Sequence, residues 1–213
     1  MMKKVLVINS NPKPTEMSFS LRLGEHYLTA LQADADVQIE RVNLYEENIP
    51  LIDGTVLDAW GKAAAGEALS AEQTSTLGRM NEILEQFIAA DVVVFITPMW
   101  NLGFPTLLKA YIDNVVIAGR TFKYTAEGPK GLLGGKKVVH IEARGGVYSE
   151  GPTTGLRFTD SYLQTIMGFI GITDYENVVV EGMAATPDRA EEILASAKQR
   201  AEQSAKNLLA AVK

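Results

Sequence analysis

The chain contains no cysteine. Disulfides, thiolate metal sites and a cysteine nucleophile are therefore excluded, and the composition suits a reducing compartment. Histidine is scarce as well: the two residues are His26, expected on a helix, and His140, expected inside a strand. Neither has a paired acid beside it, and an intrinsic pKa near neutrality is by itself a weak reason to assign catalysis. No apolar run approaches the roughly 20 residues that cross a bilayer. The start, Met1-Met2-Lys3-Lys4, leads into the short run Val5 to Ile8, too brief for a signal-peptide core. A soluble cytoplasmic protein with no membrane partner is expected. Basic charge is also in deficit, with 20 Lys and Arg against 26 Asp and Glu, a net charge of −6. That opposes a nucleic-acid surface, which needs clustered cations along the phosphates. The dinucleotide fingerprint GxGxxG is missing. Gly131-Leu-Leu-Gly-Gly-Lys-Lys137 only imitates a P-loop, because it precedes a strand and lacks Ser or Thr after Gly-Lys.

What is present is a chain of 213 residues, 46% hydrophobic and 22% charged. This is enough to bury a normal core, and residues 1–213 read as a single domain without linker, repeat or low-complexity tract. Strands are expected at Lys4–Asn9, Val37–Val42, Val92–Thr97, Lys137–Glu142 and Tyr175–Glu181. The first and third are continuous apolar runs suited to burial on both faces, and the second alternates as an edge strand does. Between them, helical spacing follows Ser18, then covers Leu57–Ala68 after a turn at Asp53-Gly54. Ser70 and Gln73 read as a capping box for a helix through Ala90. Further helices are expected over Phe104–Ala118, Leu156–Phe169 and Pro187–Val212, with a hairpin excursion within Gly119–Gly135. The charged run in the last of these is read as a solvated helix face. Alternating strands and helices give right-handed crossovers, hence an α/β three-layer sandwich with a five-stranded parallel sheet of order 2-1-3-4-5.

In such a sheet, ligands bind beyond the carboxyl ends of the strands at the switch point. The loops there are Ser10–Ser20, Pro98–Pro105 and Ala143–Pro152. In the first, Ser18, Phe19 and Ser20 open a helix, where free N–H groups, the dipole and two hydroxyls suit a phosphate. Ser18 as a plain helix cap is the competing reading. In the second, two prolines stiffen a loop carrying Met99, Trp100, Asn101 and Leu102. Asn101 offers a donor and an acceptor to a pyrimidine-like edge, and its neighbours offer apolar surface. A rigid connection with tucked aromatics reads equally well. In the third, Ala143, Arg144, Gly145 and Gly146 allow close backbone approach. Arg144 either places charge beside an anionic ring or pairs with a carboxylate elsewhere, and a simple Gly-Gly turn is the alternative.

Longer strings carry a resemblance. Ser18-Phe19-Ser20, Thr97-Pro-Met-Trp-Asn-Leu-Gly-Phe-Pro105 with Leu108-Lys-Ala-Tyr-Ile-Asp113, Gly119-Arg-Thr-Phe-Lys-Tyr-Thr125 with Gly128-Pro129, and Ala143-Arg-Gly-Gly-Val-Tyr-Ser-Glu-Gly-Pro152 resemble the FMN-dependent NADH-azoreductases. These are also described as FMN-dependent NADH:quinone oxidoreductases, and the likeness covers nearly the whole chain. It implies a flavodoxin-like fold and a homodimer with one FMN per subunit near the interface. It also implies that Ser18, Phe19 and Ser20 meet the phosphate. Met99, Trp100, Asn101 and Leu102 then lie along the isoalloxazine, and Ala143, Arg144, Gly145 and Gly146 close its other edge. The chain departs from some members at Asn11 and Ala143, where those have serine. The stretch Ala59–Thr76 resembles a longer loop found in part of the family, in which Trp60 could reach a partner's site or serve as a core or dimer contact.

On this reading no side chain is a nucleophile and no metal is involved, because the flavin carries the chemistry. NADH gives hydride, and a quinone or azo compound then takes its place, which implies ping-pong kinetics. Water or Tyr148 would supply protons. A flavodoxin-type electron carrier without its own substrate is the alternative. A phosphorylated receiver domain needs an acidic cluster after the first strand, where this chain has Ser10-Asn11.

Overall fold

The computed structural model describes residues 2–33 and 36–210. Its strands are β1 (Lys3–Asn9), β2 (Val37–Asn43), β3 (Val92–Pro98), β4 (Phe122–Thr125), β5 (Gly128–Gly131), β6 (Lys137–Arg144) and β7 (Asp174–Glu181). Its helices are α1 (Phe19–Gln32), α2 (Gly54–Ala65), α3 (Ala71–Ala89), α4 (Thr106–Val115), α5 (Phe158–Phe169) and α6 (Ala190–Ala210). The main sheet has five strands in the order β2-β1-β3-β6-β7, every neighbouring pair parallel. With the β4–β5 hairpin set aside, this is the expected order 2-1-3-4-5.

Successive strand residues point to opposite faces, and each face has its own core. Leu6, Ile8, Val93, Phe95 and Val138 pack on Phe87, Leu108, Tyr111 and Leu163 from α3, α4 and α5. Val5, Val7, Val92, Val94, Ile96, Val139 and Ile141 pack on Leu23, Leu28, Leu194 and Ala201 from α1 and α6. β3 is buried along its whole length. β2, at the edge, alternates over Val37–Glu40, but the expected alternation breaks at Arg41: Val42 is buried in the opposite core from Val37 and Ile39. The register brings the carboxyl ends of the strands to one rim: Asn9 opposite Ile96, Pro98 opposite Ala143, and Arg144 opposite Glu181.

Several boundaries differ from the sequence expectation, each for a local reason. The helix expected over Leu57–Ala68 is α2, which starts at Gly54 because Asp53 is its cap rather than part of a turn. The Asp53 carboxylate accepts the Val56 N–H at 2.9 Å, and α2 ends at Gly66 in the left-handed region. The helix expected over Phe104–Ala118 is shorter, because Pro105 is extended (ψ 143) and Val116 leaves helical geometry. A short 3-10 turn occupies Gly151–Leu156, so α5 begins at Phe158 instead of Leu156. Pro187–Arg189 forms another such turn ahead of α6, and the expected end at Val212 lies outside the described residues. β6 runs on to Arg144, so Ala143 and Arg144 belong to the strand and not to the loop. The Ser70–Gln73 capping box forms with both reciprocal bonds, and the hairpin expected within Gly119–Gly135 is β4–β5.

Candidate functional site

After β1 the chain turns through two asparagines. The Asn9 side chain accepts the Asn11 N–H at 3.0 Å, and the Asn11 side chain accepts the Lys13 N–H at 3.1 Å. These turns fix Asn11 so that its Nδ2 donates to Ser18 Oγ at 2.7 Å and to Ser20 Oγ at 3.1 Å. The two hydroxyls are 3.1 Å apart. All three side chains are buried. Ser18 also accepts the Leu21 N–H at 3.3 Å and caps α1. Capping and clustering therefore coexist in one hydroxyl. Because Asn11 donates to both oxygens, at most one hydroxyl proton is spent between the serines and the other remains to donate outward. Together with the first N–H groups of a 14-residue helix, this is a donor set that suits an anionic oxygen cluster.

The second wall is the loop after β3. Trp100 and Gly103 exchange backbone hydrogen bonds at 2.7 and 2.9 Å. This closes a two-residue turn whose central residues have φ 50 at Asn101 and φ 63 at Leu102. These are the only non-glycine residues at positive φ among those described. A leucine there costs about 1–2 kcal/mol, and such strain collects where a backbone must be held for a ligand. The Met99 N–H donates to the Ala143 carbonyl at 2.8 Å, which extends the sheet contact and fixes the loop against β6.

The third wall is where the structure departs most from the sequence reading. The Arg144 side chain is 1% exposed and is buried among carboxylates. Its Nη2 and Nε meet Glu142 Oε2 at 2.6 and 2.9 Å. Nη2 lies 3.3 Å from Asp160 Oδ2, and Nη1 lies 3.6 Å from Glu181 Oε2. Burial pulls the guanidinium pKa down, but the Glu142 and Asp160 charges and hydrogen bonds outweigh it and leave it raised. Of the two roles that the sequence left open, pairing with carboxylates is the one seen. Nearby, His140 is fully buried between Thr97 Oγ1 (2.7 Å) and the Tyr175 hydroxyl (3.0 Å). Burial, against the opposing pull of Glu142, holds its pKa below the ordinary range. His26 sits on α1 at 3.9 Å from Glu202.

These walls enclose a cavity of about 290 Å³ at the carboxyl rim of the sheet. Of the expected site residues, Ser18, Phe19, Ser20, Met99, Trp100, Ala143 and Gly145 line it. Asn101 and Leu102 shape the adjoining turn, Arg144 lies behind the wall, and Gly146 is covered by the Tyr148 ring, which a Cβ there would meet at 3.2 Å. Asn11, Lys13, Met17 and Pro98, from the two loops expected at the site, also line the cavity, as do Met183 and Ala184, which the sequence reading does not place there. Met183 and Ala184 follow β7 on the same rim. The glycine in Glu181-Gly182-Met183 signals a turn at that point, and Gly182 adopts φ 93. The Ala184 N–H donates to the Gly145 carbonyl at 2.9 Å, and a Cβ on Gly145 would lie 3.2 Å from the Ala184 Cβ. A phosphate at the serine–asparagine cluster and a flat apolar ring against Met99, Trp100 and Gly145 fit this donor set and shape.

A family model described as flavodoxin-like fold matches residues 3–205. An FMN-dependent NADH:quinone oxidoreductase of Geobacillus kaustophilus is 50% identical over 204 residues, covering 94% of this chain and 97% of that protein. One from an Exiguobacterium species is 45% identical over 212 residues, covering 99% of each. The crystal structure of an FMN-dependent NADH-azoreductase from Bacillus anthracis in complex with FMN superposes with TM-score 0.92 at 36% identity, over 97% of this chain and 99% of that one. A buried hydroxyl pair at the start of α1, a strained turn after β3 and a whole-length match thus agree, and the chain belongs to the flavodoxin-like family of FMN-dependent NADH:quinone oxidoreductases and azoreductases.

Proposed function

We propose that the chain is an FMN-dependent NADH:quinone oxidoreductase that also cleaves aromatic azo compounds. The observation that carries this reading is the buried Asn11–Ser18–Ser20 donor cluster, placed on the same cavity as the rigid Met99–Trp100 wall. Bound FMN supplies two-electron hydride chemistry between NADH and the acceptor. The chain's residues do the rest. Ser18, Ser20 and the start of α1 hold the phosphate, and Lys13 adds positive charge on the same wall. Met99, Trp100, Ala143 and Gly145 bound the ring and keep water off it. Asn101 and Leu102, fixed by their turn, present backbone groups beside it.

Nicotinamide and acceptor use one cleft in turn, which gives ping-pong kinetics. Trp100, Val147, Leu156 and Phe158 are exposed apolar side chains on and after the rim loops, as expected of a surface covered by a second copy. A homodimer that completes the site is part of this proposal. No helix among the described residues is long and apolar enough to cross a membrane; a cytoplasmic location, which a chain without cysteine suits, is part of the proposal.

The test is direct. Purified protein supplied with FMN should turn yellow and retain the cofactor through gel filtration as a dimer. It should then oxidise NADH with menadione as acceptor. Failure to retain FMN overturns the cofactor assignment, whereas retained FMN without NADH oxidation favours an electron carrier.

A further inference from the structure

The rim loop after β6 is held by a side chain outside the cavity wall. The Glu181 carboxylate, at the end of β7, accepts the Tyr148 N–H at 2.9 Å and the Ser149 N–H at 3.1 and 3.2 Å. Arg144 is its register partner across the β6–β7 ladder and stands 3.6 Å from it. The other side of the guanidinium is taken up by Glu142 and Asp160. A buried guanidinium held this way is a fixed positive charge that orients the carboxylate beside it. Backbone bonds complete the stitching: the Gly182 N–H donates to the Arg144 and Gly146 carbonyls, both at 3.1 Å, and the Ala184 N–H donates to Gly145. The end of β7 thereby sets where Gly145 and Ala184 stand on the cavity wall.

We propose that Glu181 is a positioning residue: its carboxylate, oriented by Arg144, fixes the Tyr148 and Ser149 amides and with them the pose of Gly145–Tyr148 against the bound cofactor. The proposal rests on the FMN reading above. It gives Arg144 an effect through Glu181 and not through charge offered to the ring. Glu181→Ala deletes the acceptor. Glu181→Gln keeps an oxygen that can accept an N–H, and so serves as the rescue variant.

The first measurement is residue-resolved amide hydrogen exchange on the cofactor-free protein. Tyr148 and Ser149 amides should exchange about tenfold faster or more in Glu181→Ala, since hydrogen bonds to a charged group are worth that much. Glu181→Gln should be intermediate, with β6 amides unchanged. The second is FMN titration by quenching of flavin fluorescence. Kd should rise about tenfold in Glu181→Ala and less in Glu181→Gln. Arg144→Lys combined with Glu181→Ala should be no weaker than the worse single variant, because coupled residues are non-additive. Unchanged exchange in Glu181→Ala overturns the proposal, as does an Arg144→Lys loss of affinity that adds in full to the Glu181→Ala loss in the double variant. If wild type fails to bind FMN, the cofactor reading fails while the exchange arm still decides whether Glu181 holds the loop. If Glu181→Ala does not fold, Glu181→Leu, of similar size but without an acceptor, carries both arms, and wild-type values in it overturn the proposal.

Discussion

Ser18 and Ser20 look interchangeable in sequence, but their surroundings separate them. Both hydroxyls accept from Asn11, yet only Ser18 also accepts an N–H of its own helix. Alanine at either position should weaken FMN binding by about 1.5–3 kcal/mol, the worth of a hydrogen bond to a charged group. Ser18→Ala should in addition lower the stability of the cofactor-free protein by about 1 kcal/mol, the cost of a lost cap. Flavin titration together with urea denaturation of both variants checks this; an unchanged FMN affinity in the double variant would remove the phosphate assignment. His140 makes a different prediction, one of pH. Burial holds its folded-state pKa below the unfolded value. As pH falls through about 6.5, the unfolded chain takes up a proton that the folded chain refuses. Stability is therefore lost below that pH, with a slope of at most about 1.4 kcal/mol per pH unit. Urea melts between pH 7 and 5 should show a shallower slope in His140→Asn than in wild type over the same range.

Elements of the fold depend on close approaches that single residues permit. β5 lies against the turn after α5, where a Cβ on Gly131 would sit 2.1 Å from the Gly171 nitrogen, a backbone atom that cannot swing aside. Gly131→Ala should therefore cost about 1–3 kcal/mol by overpacking, read as a lower melting temperature, while Gly134→Ala, whose nearest neighbour is at 3.9 Å, should be nearly neutral. The turn at Asn101 and Leu102 predicts the reverse. Leu102→Gly should leave stability unchanged or raise it by relieving left-handed strain, yet weaken FMN binding, a split visible by comparing thermal melts with flavin titrations. The strands were legible because two-sided burial demands apolar runs such as Val92–Ile96, and the alternation of elements carried the sheet order. The Ser18–Ser20 start was legible because hydroxyls before a helical pattern have few other uses. Asp53-Gly54 was misread because Asp before Gly serves a turn and a helix cap equally well. Arg144 was ambiguous because two of its partners, Asp160 and Glu181, come from other elements. Glu142 was the available clue, since i and i+2 share one face of a strand. Met183 and Ala184 follow the last strand, outside the switch point that the sheet order marks, yet their loop shares the same rim.

At the scale of the molecule, cofactor binding and folding are one equilibrium. A ligand that binds only the folded chain stabilises it by about 2.7 kcal/mol at a hundred times its Kd. For a protein of 150–250 residues each kcal/mol moves the melting temperature by about 2–4 °C, so saturating FMN should raise it by about 5–10 °C. Riboflavin offers the same ring without the phosphate. If the buried Asn11–Ser18–Ser20 cluster holds that phosphate, riboflavin at equal concentration should give a much smaller shift, and the Ser18→Ala/Ser20→Ala variant should erase most of the difference between the two flavins. A second copy enters the same linkage. If the partner completes the cavity beside Trp100 and Phe158, apparent FMN affinity must fall when the protein is diluted far enough to separate the copies, whereas a self-sufficient monomer binds with one affinity at every concentration. Thermal shift at fixed FMN over a protein dilution series, with sedimentation velocity reporting the oligomeric state at each point, separates these outcomes. An FMN shift that persists unchanged in demonstrated monomers would mean that the cavity walls described here suffice on their own.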